Sequence, residues 1–227
     1  MKENLERIHQ RIVAAAEACG RDPHSVRLVA VSKTMSVERV AQAIDDGATI
    51  LGENYIQESR EKFDALYDRP VQWHFIGHLQ SNKAKYAVRM FDLIHSVDSL
   101  KLAKALDKEA RKHDKVQDIL IQVNISREET KSGIDTDEAV ELVAQAGGLE
   151  NIRVKGLMTM PPFFDAPEQA RPFFNRLAQL RDHISGKHIP GVCMDELSMG
   201  MTGDFEVAIA EGATLVRIGT AIFGARR

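Results

Sequence analysis

Cysteine is scarce: Cys19 and Cys193 are the only two in 227 residues. No C-x-x-C pair or Cys/His cluster accompanies them, which excludes a disulfide framework or a structural zinc site and makes a reducing compartment the default. Excess charge of one sign is absent too. Thirty Lys and Arg stand against 33 Asp and Glu, a formal net charge of −3, so there is no global basic field for nucleic acid or anionic lipid. Long apolar runs are missing: nothing approaches the ~18 residues of a membrane span. Met1 to Gln10 is charged throughout, without the apolar core of a secretory signal. These absences predict a cytoplasmic protein without nucleic-acid or membrane partners.

What the chain does have is ample material for one core, at 44% hydrophobic and 28% charged. No Pro/Gly/Ser-rich linker splits it, so residues 1–227 read as a single domain. Leu5, Ile8, Ile12, Ala15 and Cys19 recur at helical steps before Gly20, a helix over residues 1–20. Arg27 to Lys33 is then a short valine-rich run, the pattern of a strand buried on both faces of a parallel sheet. Ser36 caps a helix through Ile44. The alternation continues through strands at 49–52, 71–76, 92–97, 118–124, 152–158, 196–198 and 214–218, with helical spacing between them. Pro172 lies inside the window of the sixth intervening helix and either opens it or kinks it. Eight alternations predict a (β/α)8 TIM barrel over residues 27–224, the N-terminal helix covering the gap beside a short last helix. A doubly wound sheet with a dinucleotide site is disfavoured: the turn after the first strand reads Ser32-Lys-Thr-Met-Ser36, not G-x-G-x-x-G.

In a barrel the chemistry sits at the C-terminal ends of the strands. The polar residues there are Lys33, Glu53, Asn54, His78, Ser96, Asn124, Met158 with Thr159, Ser198 with Met199 and Gly200, and Arg217 with Gly219 and Thr220. Few are carboxylates, which suits an anionic ligand better than a divalent metal or glycoside chemistry. The turns 197–204 and 217–224 supply glycines and hydroxyls at the starts of the last two helices, where free backbone N–H groups favour a phosphate. Lys33 ends an apolar strand, where an ammonium is costly unless it is neutralised, paired or converted to an imine. A lysine imine beside a phosphate site suits pyridoxal phosphate or an aldolase-type sugar phosphate.

The chain resembles the pyridoxal phosphate homeostasis proteins, relatives of the barrel domain of alanine racemase. The resemblance spans nearly its whole length. It rests on Val29-Ala-Val-Ser-Lys-Thr34, Gly52-Glu-Asn-Tyr55, Trp73-His-Phe-Ile-Gly-His-Leu-Gln80, Lys131-Ser-Gly133, Gly156-Leu-Met158, Leu197-Ser-Met-Gly-Met201 and Val216-Arg-Ile-Gly-Thr-Ala-Ile-Phe-Gly224. It implies pyridoxal 5'-phosphate held as a Schiff base on Lys33, with buffering or delivery of the cofactor rather than turnover. Ser198, Gly219 and Thr220 would hold the phosphate, with Met199 and His78 beside the site. Arg217 would face the pyridine nitrogen, and Asn54 and Met158 would line the ring. Where the family usually has serine after Met-Gly-Met this chain has Thr202, which keeps the hydroxyl. Exchange partners would be pyridoxal phosphate-dependent apo-enzymes or vitamin B6 salvage enzymes, and a monomer is the default.

The alternative is a racemase or decarboxylase on the same barrel. Alanine racemase-like enzymes use a tyrosine from a further β-domain as second acid/base. The nine residues after the eighth strand hold no counterpart, so such an enzyme needs an acid from another subunit or from an unassigned barrel residue. His74 and His78 lack the H-E-x-x-H arrangement of a metal pair. His74 and His95 read as strand histidines satisfied locally, Lys131 as a solvated lysine or a second aldehyde contact, and Tyr55, Tyr67 and Tyr86 as packing or surface residues. No metal site and no catalytic residue is assigned.

Overall fold

A computed structural model describes residues 1–128 and 132–224. After helix α1 (Lys2–Ala18), strands and helices alternate: β1 (Arg27–Val31), α2 (Val37–Asp45), β2 (Ile50–Glu53), α3 (Ile56–Leu66), β3 (Gln72–Phe75), α4 (Ala84–Met90), β4 (Leu93–Val97) and α5 (Leu100–Arg111). The second half follows with β5 (Gln117–Gln122), α6 (Thr136–Gly147), β6 (Ile152–Met158), α7 (Arg171–Ser185), β7 (Val192–Ser198), α8 (Phe205–Ala210), β8 (Leu215–Ile218) and α9 (Thr220–Phe223). The eight strands close in sequence order into one parallel barrel, β8 returning to β1 with Val29 opposite Arg217. Parallel pairing puts every strand's C-terminal end on one rim, as the sequence reading requires.

Apolar side chains divide into two bodies. The larger fills the space between the strands and the helices. The smaller consists of Val29, Ile50, Leu93, Leu120, Met158 and Leu215, one residue from each of six strands, and forms a plug inside the barrel. Gly52 is small because the interior is crowded there: a Cβ would come 2.8 Å from Val29 Cγ1 and 3.1 Å from Ile76 Cδ1. Val29 and Ile76 are thereby placed on the inner face, and so, two along from Val29, is Val31.

Helix α1 covers the flank left by the four-residue α9, as the sequence predicted. Leu5, Ile8, Ile12 and Ala16 form its buried stripe, Asn4 Nδ2 donates to Ile222 O at 3.0 Å, and Arg11 lies 4.6 Å above the Phe205 ring. Arg21 then donates to the carbonyls of Ile209 and Ala213 at 2.7 and 2.9 Å, tying the chain after α1 to the end of α8.

Two helix starts have identifiable local causes. Pro172 is the second residue of α7 and opens it, where its missing N–H has no intrahelical partner to lose. Helix α8 starts only at Phe205, because Asp204 Oδ1 takes the Met201 N–H at 2.6 Å and holds residues 201–204 in a turn. Lys131 lies outside the described residues.

Candidate functional site

Arg217 stands near the C-terminal end of β8, on the side of the barrel mouth. It is 4% exposed, its Nη1 donates to Ser198 Oγ at 2.5 Å, and its Nη2 donates to Thr159 O at 2.8 Å. Among the described residues no carboxylate forms an ion pair with it. Burial lowers it to about 10, with Asp204 pulling the other way, so the guanidinium stays charged at neutral pH. A buried cation bonded only to neutral groups is a site that favours an anion or a strong acceptor.

Behind Ser198 runs a line of neutral groups across the interior. His95 Nδ1 is 2.9 Å from Ser198 Oγ, and His95 Nε2 is 3.0 Å from His74 Nδ1. Burial first, then Arg27, pushes His74 down to about 3. Burial, His74 and Arg217 lower His95 well below the usual histidine value. Two neutral imidazoles and one hydroxyl can satisfy one another along such a line with no net charge. This corrects the reading of His74 and His95 as locally satisfied. They belong to one chain that ends on Arg217, which strand spacing alone cannot reveal because it spans β3, β4, β7 and β8.

Lys33 follows β1 by two residues and is half-buried. Ser32 between it and Val31 points outward, its Oγ donating to Glu53 Oε1 at 2.6 Å, so alternation brings Lys33 back to the side of the interior. The turn is closed by Met35 N–H to Ser32 O at 3.1 Å. Thr34 takes φ of 65° within it, a conformation costing a non-glycine residue about 1–2 kcal/mol. The backing is ionic and buried: Lys62 Nζ donates to Ser32 O at 2.7 Å, to Glu53 Oε1 at 2.8 Å and to Glu58 Oε1 at 2.5 Å. Glu58 also accepts the Thr34 N–H. Burial raises Glu53 while Lys62 and Ser32 oppose the shift, and Glu53 Oε2 has no partner. Lys62 was not singled out from the sequence. Its signal was present, a lysine on the buried stripe Ile56, Ser59, Lys62, Leu66 of α3.

On the other flank of β1, beside β8, Gly219 packs against Val31, a Cβ there meeting Val31 O at 3.3 Å. Thr220 and Thr202 place their hydroxyls 3.5 Å apart on the surface. Both line a cleft of about 260 Å³ with Phe163, Phe164 and Gly203. Ser198, the expected phosphate residue, is fully buried and committed to Arg217 and His95, so Thr202 and Thr220 are the open hydroxyls.

The remaining expected residues separate. Asn54 and His78 share a cleft of about 360 Å³ with Tyr55, Gln80 and Lys83, and Asn54 Oδ1 is buried without a partner. Met158 belongs to the interior plug and has no exposed surface. Met199 points away from the mouth, into the core beneath the helices; one step past inward-facing Ser198, it falls on the other face. A wider cavity, about 760 Å³, lies elsewhere, between Asn124 and the acidic face of α6. The mouth therefore offers a lysine on a constrained turn, a buried arginine, an unpartnered amide oxygen and two open hydroxyls. Such a set suits a small anionic molecule carrying a carbonyl group.

Comparison with known proteins agrees with the geometry. Residues 4–227 match the family model of the alanine racemase N-terminal domain. A pyridoxal phosphate homeostasis protein of Aquifex aeolicus is 45% identical over 99% of this chain and 98% of its own length. One from Escherichia coli K12 is 43% identical over 98% and 95%. Among solved structures, PipY of Synechococcus elongatus PCC7942 with PLP bound superposes with a TM-score of 0.82 at 34% identity, covering 96% of this chain and all of that one. A chain matched end to end by such relatives, on a barrel whose mouth carries this set of groups, belongs to the pyridoxal phosphate homeostasis protein family.

Proposed function

We propose that this protein binds pyridoxal 5'-phosphate reversibly at the barrel mouth, attached covalently through the Lys33 amine, and that it buffers or delivers the cofactor instead of using it in turnover. The observation carrying this reading is Arg217, buried, charged and bonded only to neutral groups at the rim where the Lys33 turn ends. The residues fit the ligand: Asn54 Oδ1 is an unpartnered buried acceptor, and Thr202 and Thr220 present two adjacent exposed hydroxyls for a phosphate.

Bound at such a site, pyridoxal phosphate supplies an aldehyde to an amine and a ring that can withdraw electrons. Arg217 limits the second property. A guanidinium only donates, so a ring nitrogen facing it stays unprotonated and is a weaker electron sink than one paired with a carboxylate. Ser198 and Thr159 fix the guanidinium plane, and the neutral histidine pair holds Ser198 without adding charge. Asn54 and His78 would border the ligand from the β2 and β3 side. Met158 supports the floor, and the phosphate would sit at Thr202, Gly219 and Thr220 in preference to Ser198.

The test is visible absorbance of the purified protein with added pyridoxal phosphate, before and after borohydride reduction, with peptide mapping. A yellow band trapped on Lys33, with added amino acids left unconverted, is the expected result. A protein that takes up no cofactor would overturn the reading, and conversion of an amino acid would favour a racemase or decarboxylase.

A further inference from the structure

Lys62 and Glu58 lie on α3, outside the barrel wall, yet both reach through to the turn that carries Lys33. Lys62 is 3% exposed and Glu58 27% exposed at the side chain. Lys62 shares the Ser32 carbonyl with the Met35 N–H that closes the turn, and Glu58 accepts from both Lys62 and the Thr34 amide. A buried ammonium facing two carboxylates is a poor source of stability, because desolvation offsets most of the attraction. Its geometric content is large: three hydrogen bonds from one Nζ fix where residue 32 ends, and the Glu58 contact holds residue 34 in a left-handed conformation that threonine otherwise avoids.

We propose that Lys62 and Glu58 are positioning residues for Lys33: from behind the sheet they hold the Ser32–Thr34 turn in the form that presents the Lys33 amine to an aldehyde at the mouth. This rests on the reading of Lys33 as the covalent anchor. The pair itself touches no ligand. Glu53 is the fixed post of the arrangement, its Oε1 accepting from both Ser32 Oγ and Lys62 Nζ.

The experiment compares wild type, Glu58→Ala, Glu58→Gln and Lys62→Met as apo full-length proteins, reading amide hydrogen exchange at Thr34 and the rate at which Lys33 captures pyridoxal phosphate, located by borohydride trapping. Glu58→Ala leaves Lys62 bonded to Glu53 and Ser32, so the fold is retained. Loss of a hydrogen bond to a charged acceptor should accelerate Thr34 exchange and slow Lys33 capture each by about tenfold. Glu58→Gln keeps an acceptor and should stay within about threefold of wild type in both. Lys62→Met should slow capture at least as much as Glu58→Ala wherever it folds. Faster Thr34 exchange with unchanged capture would show the pair to be structural only and overturn the proposal. Trapping of wild-type protein at a residue other than Lys33 would instead overturn the anchor assignment, whatever the exchange data showed.

Discussion

At the scale of single residues, the molecule separates two kinds of buried base. Lys62 is bonded to carboxylates, whereas His74 and His95 are kept neutral first by burial, their rings bonded to each other. The histidines make acid stability predictable in sign. Unfolding returns His74 from about 3 to its ordinary 6.5, so between those values the unfolded chain binds the extra proton. The contribution is complete above about pH 6.5 and is lost as the pH falls toward 3. Replacing His74 by Asn, which keeps a polar atom toward His95, should flatten the pH dependence of the unfolding free energy in this window by about 1.4 kcal/mol per pH unit, read from denaturant titrations. Lys33→Ala is the second residue-scale expectation: no borohydride-stable adduct at that position, and an unchanged circular dichroism spectrum. Lys33 and Arg217 were legible in the sequence because a charged residue ending an apolar strand is conspicuous. Met199 was misplaced because adjacent strand residues face opposite sides, which a motif read as a block conceals; Ser198 was reassigned because its hydroxyl is already bonded to Arg217 and His95, contacts from strands distant in sequence.

At the scale of elements, the strands and helices were found nearly in full from valine-rich runs, helical spacing and glycine stops. What spacing missed was local chemistry, such as the Asp204 turn that delays α8 and the two-stage opening of α4 by a 3-10 turn at Ser81–Lys83. Strand β7 is also longer than its apolar content suggests, running from Val192. Its pairing with β6 depends on Gly156, which has φ of 155° at a register shift between the strands. A Cβ there would lie 1.9 Å from Glu196 O, so no side chain can be accommodated without parting the ladder. Gly156→Ala should destabilise the fold by about 3 kcal/mol or more, read as a lower urea midpoint. Because β7 carries Ser198, the variant should also weaken cofactor uptake.

For the molecule as a whole, α1 is part of the barrel's outer wall rather than an appendage. Ile8 is fully buried against it, and Ile8→Ala should cost about 2–5 kcal/mol in a single cooperative unfolding transition. A separate early transition would mean instead that α1 detaches on its own. That sequence reading reached this packing, and the barrel with it, follows from what the fold demands of composition: two faces of every strand buried, one stripe of every helix. The site was less legible because its contacts join residues far apart in the chain, Lys62 to Ser32 and His95 to Ser198.

The plug of six side chains inside the barrel has a consequence for traffic. Val29, Ile50, Leu93, Leu120, Met158 and Leu215 stop the lumen, so the mouth is a cul-de-sac with a single door. Whatever arrives at Lys33 leaves by the way it came. In the delivery role proposed above, a recipient protein that covered that rim would be handed the cargo and would bar reloading until it departed, so hand-over and refilling would alternate. Direct transfer should therefore saturate with recipient concentration, whereas release into solvent should proceed at one rate however much recipient is present.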